Sequence, residues 1–134
     1  ELPHRFPYDR LLLVLDQLLD LGLWPILAHP ERYPLVWERP HLARRWVERG
    51  GLLQLTADAL AGRYGRRAAS LATELIGAGL AHFVASDAHD PTKRPPGLQD
   101  AFGWVYAQAG QAAAARMFTY NPLAVLHNES LSAV

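Results

Sequence analysis

The sequence contains no cysteine. That absence excludes a disulfide framework, zinc sites built from thiolates and a cysteine nucleophile. Basic and acidic residues are equal in number, with 13 of each, so no net field attracts nucleic acid or an anionic membrane. No apolar run approaches the roughly 20 residues that a membrane-spanning helix needs. We therefore expect a cytoplasmic protein that does not bind nucleic acid or insert into a membrane.

The length of 134 residues suits one ordinary domain and is too small for two. Half of the residues are hydrophobic, and apolar runs alternate with polar ends, which indicates a packed core rather than disorder. We predict a single domain over residues 1–134. The chain starts at Glu1 instead of a methionine, so we expect it to be processed or to be the downstream piece of a longer product.

Helix-type and strand-type patterns alternate along the chain. Three short apolar runs, at 24–28, 52–56 and 82–85, are typical of buried strands. Helical spacing or helix-start signals mark the segments 8–21, 40–48, 66–76, 98–108, 111–118 and a last short helix from Asn121. This order predicts an α/β fold in which parallel strands are joined by helical crossovers.

Polar side chains follow each predicted strand. His29 comes after the first, Thr56 ends the second, and Ser86 and Asp87 come after the third. The carboxyl ends of parallel strands meet at one edge of a sheet, where the connecting loops build active sites. Core packing is a poor explanation for three such ends, so the pattern indicates a functional site at this edge.

Asp87 and His89 lie two positions apart, so in an extended segment both side chains point to the same side. A carboxylate with an imidazole suits Mn, Zn or Fe, although an Asp-x-His pair is equally well explained as a solvated turn. His29 is either a ligand at a strand end or a buried histidine bonded to backbone. The second polar strand end, with Asp87 and His89, favours the ligand interpretation.

Two arginines lie close to these residues in sequence. Arg32 and Arg94 each offer a planar fork that matches a phosphate, although without the metal ligands beside them both would be interpreted as solvated surface residues. The remaining histidines are expected to be structural or exposed: His4, His41, His82 and His127. The four tryptophans are expected to pack in the core. Gly62 and Gly65 flank Arg63-Tyr64 without a strand-Gly-helix fingerprint, so nucleotide binding has no support.

Three segments together resemble one known family. Pro-Ile-Leu-Ala-His-Pro-Glu-Arg-Tyr (25–33), Gln-Leu-Thr-Ala-Asp-Ala-Leu-Ala-Gly-Arg-Tyr-Gly (54–65) and His-Phe-Val-Ala-Ser-Asp-Ala-His-Asp (82–90), with Arg94-Pro95, resemble the bacterial CpsB/CapC tyrosine phosphatases. These belong to the polymerase and histidinol phosphatase (PHP) superfamily. The likeness runs over most of the chain.

The resemblance implies a portion of a distorted (β/α)7 barrel with up to three metal ions, usually manganese, at the carboxyl ends of the strands. Zn²⁺ or Fe are alternatives. It implies that Glu1, His29, Asp87 and His89 are metal ligands and that Arg32 and Arg94 hold the phosphoryl group. The metals then activate water for attack on phosphorus, and no phospho-enzyme is required. The family pattern opens with a His-x-His that this chain lacks. We therefore expect the four ligands to form only part of the metal site. If no other ligands complete that site, we expect the chain alone to be inactive.

The function implied is a phosphotyrosine-protein phosphatase acting on a bacterial tyrosine kinase that controls capsule or exopolysaccharide synthesis. A PHP-type phosphoesterase for a small phosphate ester is the second hypothesis. The third is a non-catalytic remnant that keeps the fold as a binding or assembly module. An oligomer is compatible with all three.

Overall fold

The structure, a computed structural model, describes residues 1–3, 6–92, 94 and 96–131. The predictions for His4 and Pro95 lie outside these residues. The strands are β1 (Ile26–Ala28), β2 (Leu52–Thr56) and β3 (Phe83–Ala85). The helices are α1 (Tyr8–Asp20), α2 (Pro34–Glu38), α3 (His41–Glu48), α4 (Ala57–Leu60), α5 (Gly65–Gly77), α6 (Gln99–Ala115) and α7 (Asn121–Leu126). A 3-10 turn (Pro30–Arg32) follows β1, and a π-helical turn (Arg116–Tyr120) joins α6 to α7. Within the described part of the chain, no helix has the length and apolar character needed to cross a membrane.

The strands form one parallel sheet in which β2 lies between β1 and β3. Ile26 pairs with Leu52 at one side of β2, and Gln54 pairs with Phe83 at the other. The connections are helical: α2 and α3 join β1 to β2, and α4 and α5 join β2 to β3. The predicted α/β fold of parallel strands with helical crossovers is therefore confirmed. Since the strands run the same way, their three carboxyl ends lie along one edge of the sheet.

The apolar faces of α1 and α5 and the central strand contribute to one hydrophobic core. Leu11 and Leu15, one helical turn apart in α1, are buried, and so are Leu71 and Leu75 in α5. On the sheet, Leu53 of β2 is fully buried. Truncating one of these leucines to alanine typically costs about 2–5 kcal/mol of stability. These residues belong to one continuous cluster. That agrees with a single domain over 1–134, which stays a prediction.

Several local features differ from the sequence prediction. Helices α2 and α4 were not predicted, because segments of five and four residues are too short to show a helical period. The two predicted segments 98–108 and 111–118 are joined in α6, but Gly110, with a φ of 86°, breaks the helix between them.

Trp24 was expected in the core and is 57% exposed, because it lies in the turn before β1. Trp46 is buried and donates its indole N–H to the Leu52 carbonyl at 3.0 Å.

Candidate active site

The end of β1 turns sharply at His29. The backbone N–H of His29 still donates to the Gln54 carbonyl of β2 at 2.7 Å, but its φ of 39° is left-handed. A non-glycine residue adopts this conformation at a cost of roughly 1–2 kcal/mol, so surrounding contacts must hold it there. Pro30 then begins the 3-10 turn that carries Glu31 and Arg32. The turn buries Glu31 completely and leaves Arg32 partly exposed.

Glu31 connects the end of β1 to the end of β2. Its Oε1 accepts a hydrogen bond from the Thr56 backbone N–H at 2.8 Å. Its Oε2 is buried without a hydrogen-bond partner among the described residues. Burial raises the pKa of Glu31 to about 7, and the bond from Thr56 opposes that shift. Sequence reasoning placed Thr56 at a strand end but did not identify Glu31 as its partner. Its position directly after a buried strand end was the available signal.

The loop after β3 folds back on itself and brings Arg94 to Asp87. The Arg94 backbone N–H donates to the Asp90 carbonyl at 3.2 Å, and the His89 N–H donates to the Arg94 carbonyl at 3.2 Å. Asp90 Oδ1 also accepts from the Thr92 N–H at 2.8 Å, which tightens the turn. Arg94 Nη2 donates to the Asp87 carbonyl at 2.9 Å and also to the Asp87 carboxylate.

Asp87 accepts hydrogen bonds from arginines in two loops. Its Oδ2 accepts from Arg32 Nη1 at 2.8 Å and from Arg94 Nη2. Arg32 follows β1 and Arg94 follows β3, so the sheet brings together two guanidinium groups that are 62 positions apart (94 minus 32). Two such groups around one oxygen are close enough to bind one tetrahedral anion.

His89 is oriented by the backbone of the same loop. Its Nδ1 lies 2.7 Å from the Asp87 carbonyl oxygen. Because a carbonyl only accepts, Nδ1 must carry a hydrogen, and in the neutral ring the lone pair lies on Nε2. The side chain is 61% exposed. A histidine whose Nδ1–H is fixed by a carbonyl while Nε2 stays open is the usual state of a metal ligand.

Glu1 and His29 form a second pair of predicted ligands. Glu1 Oε1 lies 3.3 Å from His29 Nε2. Tyr33 holds this segment, since its hydroxyl accepts from the Leu2 N–H at 2.8 Å and its ring centroid lies 5.3 Å from that of His29. Burial lowers the pKa of His29, and the nearby Arg32 lowers it further, which favours the neutral imidazole that binds metals. Sequence reasoning did not identify Tyr33.

The chemistry of these side chains fits a divalent metal. Carboxylates and imidazoles are the oxygen and nitrogen ligands that Mn, Zn and Fe accept. The buried Nδ1 of His29 has no hydrogen-bond partner among the described residues. Within that same part of the chain, no three acidic or histidine side chains converge as a ready-made ligand set. The four ligand roles therefore stay a prediction, with the ligands arranged as two pairs.

Two arginines at strand ends lie beside carboxylates and histidines, and paired guanidinium groups can bind an anion. The family model described as capsular polysaccharide synthesis, CpsB/CapC, matches residues 1–127, and the chain belongs to this family. It is 35% identical over 130 residues to tyrosine-protein phosphatase YwqE of Bacillus subtilis (strain 168), covering 94% of this chain and 51% of that protein. It is 40% identical over 86 residues to putative tyrosine-protein phosphatase CapC of Staphylococcus aureus, covering 64% of this chain and 34% of that protein.

The fold is also similar to a solved one. A chain from the crystal structures of YwqE from Bacillus subtilis and CpsB from Streptococcus pneumoniae, described as unique metal-dependent tyrosine phosphatases, matches with a TM-score of 0.85 at 33% identity. The match covers 97% of this chain and 52% of that one. The chain thus spans about half the length of YwqE. The family and fold expected from the resemblance are confirmed.

Proposed function

We propose that this chain forms part of a metal-dependent protein-tyrosine phosphatase that hydrolyses phosphotyrosine. The main support for the proposal is that Arg32 and Arg94 both donate hydrogen bonds to the Asp87 carboxylate. Glu1 and His29 form a second pair of proposed ligands. The names of its relatives support the same reaction. A cytoplasmic location is part of this proposal.

Four residues would hold the metal: Glu1, His29, Asp87 and His89. Mn²⁺ is the proposed ion, with Zn²⁺ or Fe as alternatives that the same ligands accept. A bound divalent ion supplies a polarised phosphoryl oxygen and a water of lowered pKa. Two features of the chain itself favour metal binding: burial lowers the pKa of His29, and the Asp87 carbonyl orients the His89 ring.

The two arginines would bind the phosphoryl oxygens. A guanidinium presents its donors in one plane, so it orients a phosphoryl group as well as neutralising it. Asp87 fixes Arg94 through both its carbonyl and its carboxylate. Asp87 is also a proposed metal ligand. The binding of a cation and of a phosphoryl group should therefore be linked, because both depend on the same carboxylate.

The proposed protein substrate is a bacterial tyrosine kinase that controls capsule or exopolysaccharide synthesis. Its support is the description of the family together with the tyrosine-phosphatase names of the relatives. In this proposal the tyrosine oxygen leaves as water attacks phosphorus. The chain has no cysteine to form a phospho-enzyme, which agrees with direct attack by water.

The test is phosphate release by the purified chain, with and without added Mn²⁺, from a phosphotyrosine peptide and from histidinol phosphate. We expect release that depends on Mn²⁺ and favours the peptide, from this chain if its four ligands suffice and otherwise from the longer product expected to supply the missing His-x-His. A preference for histidinol phosphate would support a small-ester phosphoesterase instead. A chain that neither binds Mn²⁺ nor releases phosphate from either compound, together with a longer product that also fails, would favour a non-catalytic module.

A further inference from the structure

A short turn before α5 places a tyrosine against the candidate site. Gly62 and Gly65, with φ values of 76° and 85°, enclose Arg63 and Tyr64. The Gly62 N–H donates to the Ala59 carbonyl and the Gly65 N–H donates to the Gly62 carbonyl, both at 3.0 Å. Tyr64 is therefore held at the start of α5, and α5 packs against the 3-10 turn that carries Arg32.

The ring of Tyr64 supports the Arg32 guanidinium from one face. Arg32 Cζ lies 4.5 Å from the ring centroid, which is a cation–π distance. At its edge, Nη1 of the same guanidinium donates to Asp87 Oδ2 at 2.8 Å. One contact holds the guanidinium over the ring and the other restrains its rotation. The remaining N–H donors of Arg32 are therefore held in a fixed orientation.

We propose that Tyr64 is a positioning residue for phosphoryl recognition and acts through Arg32. The inference rests on the proposed function, because it assigns Arg32 to the phosphoryl group. The aromatic face is the necessary feature, since an aliphatic side chain of similar size fills the space without attracting the cation. Tyr64 also packs against the core, so the test must separate positioning from packing.

The test is the affinity for inorganic phosphate, measured by calorimetry on the full chain with Mn²⁺ present. Tyr64→Phe keeps the ring and should bind phosphate within about twofold of the original chain. Tyr64→Leu should bind about 3- to 10-fold more weakly, the loss expected for one partly buried cation–π contact. In an Arg32→Ala background, Tyr64→Leu should have no further effect. An equal loss in both backgrounds would overturn the assignment, because packing does not depend on Arg32.

Tyr8 provides a matched control. Its ring lies 4.2 Å from Arg39 Cζ, so it forms the same kind of contact away from Asp87. Tyr8→Leu should leave phosphate affinity unchanged. A loss as large as that of Tyr64→Leu would show a general effect of removing a stacked tyrosine and would overturn the assignment.

A second measurement separates this inference from the proposed function. The Nε–Hε signal of Arg32 in ¹⁵N NMR is identified by its loss in Arg32→Ala. It should keep its chemical shift in Tyr64→Phe and move in Tyr64→Leu. If the original chain binds no phosphate, the proposed function is wrong, and the Arg32 signal still reports whether Tyr64 holds the guanidinium. A signal that does not move in Tyr64→Leu would overturn the positioning role by itself.

Discussion

The turns at both ends of the sheet contain left-handed backbone positions, but different residue types occupy them. At the amino ends of the strands, the turns 21–25, 49–51 and 78–82 form what we call the amino rim. Its left-handed positions are all glycine: Gly22, Gly50 and Gly79. At the carboxyl ends, residues 29–32, 56, 86–92 and 94 form the carboxyl rim. Its left-handed positions are His29 and Asp87, which lack the freedom of glycine.

Hydrogen bonding separates the two rims in the same way. Three buried side-chain atoms lack a partner among the described residues, and all three lie in the carboxyl rim: His29 Nδ1, Glu31 Oε2 and Arg94 Nε. In the amino rim, the backbone of His82 donates to Leu53 and accepts from the Asn121 side chain. Backbone strain and unmet polar groups destabilise a fold and concentrate at functional sites. The comparison indicates that the residues of the amino rim contribute mainly to stability, whereas those of the carboxyl rim contribute mainly to the candidate active site.

The largest expected effect is that of Asp87→Asn. Asparagine has a similar size and tolerates a left-handed φ, so the fold should survive, with the unfolding free energy changed by less than about 1 kcal/mol. Loss of the carboxylate should lower Mn²⁺-dependent turnover at least about 100-fold. Turnover assays and denaturant melts on the same preparation check both parts.

Asp16 is the matched control for Asp87. It also pairs with an arginine, Arg49, at 2.7 Å, but on the exposed outer side of α1. Asp16→Asn should leave turnover unchanged. If Asp87→Asn lowered stability and left turnover intact, the two rims would not differ in role as described.

Arg32→Ala should have the next largest effect. Removing charged hydrogen bonds to a phosphoryl group costs about 1.5–3 kcal/mol, which corresponds to roughly a 10- to 100-fold weaker interaction. We expect most of that loss in KM, as measured by steady-state kinetics on a phosphotyrosine peptide. Arg39→Ala removes another arginine stacked on a tyrosine and should leave KM unchanged. Equal kinetics for the two variants would place Arg32 outside the site.

A smaller effect, on stability alone, is expected at Gly79 in the amino rim. Its φ is 69°, and an added Cβ would meet nothing within 4 Å, so Gly79→Ala introduces strain without a clash. The strain should lower the unfolding free energy by about 1–2 kcal/mol. Gly77, the last residue of α5, has equal space and no positive φ, so Gly77→Ala should be neutral or stabilising by about 0.5 kcal/mol. Thermal melts compare the two, and similar melting temperatures would contradict the assigned strain.

The smallest effect is a pH dependence of stability from His82. Burial lowers the pKa of His82, and its Nδ1 accepts from the Leu53 N–H at 3.2 Å, a bond that protonation breaks. The unfolded chain therefore binds this proton more readily, and the contribution of His82 to stability should fall as the pH drops below about 6.5. Glu31, whose pKa is raised to about 7, contributes in the opposite direction, so the His82 contribution is read from the difference between variants. One proton contributes a slope of at most about 1.4 kcal/mol per pH unit.

His82→Asn keeps an acceptor near Leu53 without a titrating group. This variant should lose part of the pH dependence, whereas the same change at the exposed His41 should not. Denaturant melts between pH 5 and 8 make the comparison. An identical pH profile for His82→Asn and the original chain would exclude His82 as the source.

Elements with a long periodic pattern could be predicted from the sequence. The predicted helix at 8–21 agrees closely with α1, because its apolar residues recur with a helical period. The helix at 40–48, predicted from a starting proline and the glycines after it, and the short strand at 52–56 also agree with α3 and β2. The predicted break near Gly110 is also present. Trp24 shows the limit, because hydrophobicity alone does not tell whether a residue before a strand turns inward or outward.

Only those residues of the candidate site that directly follow a predicted strand could be predicted from the sequence. His29 and Asp87 stand out because a polar residue ends an apolar run. Glu31, Tyr33 and Tyr64 do not, because their roles depend on contacts between separate loops. Glu31 reaches Thr56 at a separation of 25 residues, and Tyr33 reaches Leu2 at a separation of 31. No local pattern encodes such pairings.

The order of strands in the sheet also bears on how the chain folds. Each strand pairs with its neighbour in sequence, so Ile26 to Leu52 closes a loop of 26 positions (52 minus 26) and Gln54 to Phe83 closes one of 29 (83 minus 54). Each closure spans fewer residues than a direct pairing of the first strand with the third would, and the first pairing can form before the last strand leaves the ribosome. Arg32 and Arg94 meet only after both closures are complete. Phosphate binding would then report, in a refolding experiment, the arrival of the third strand.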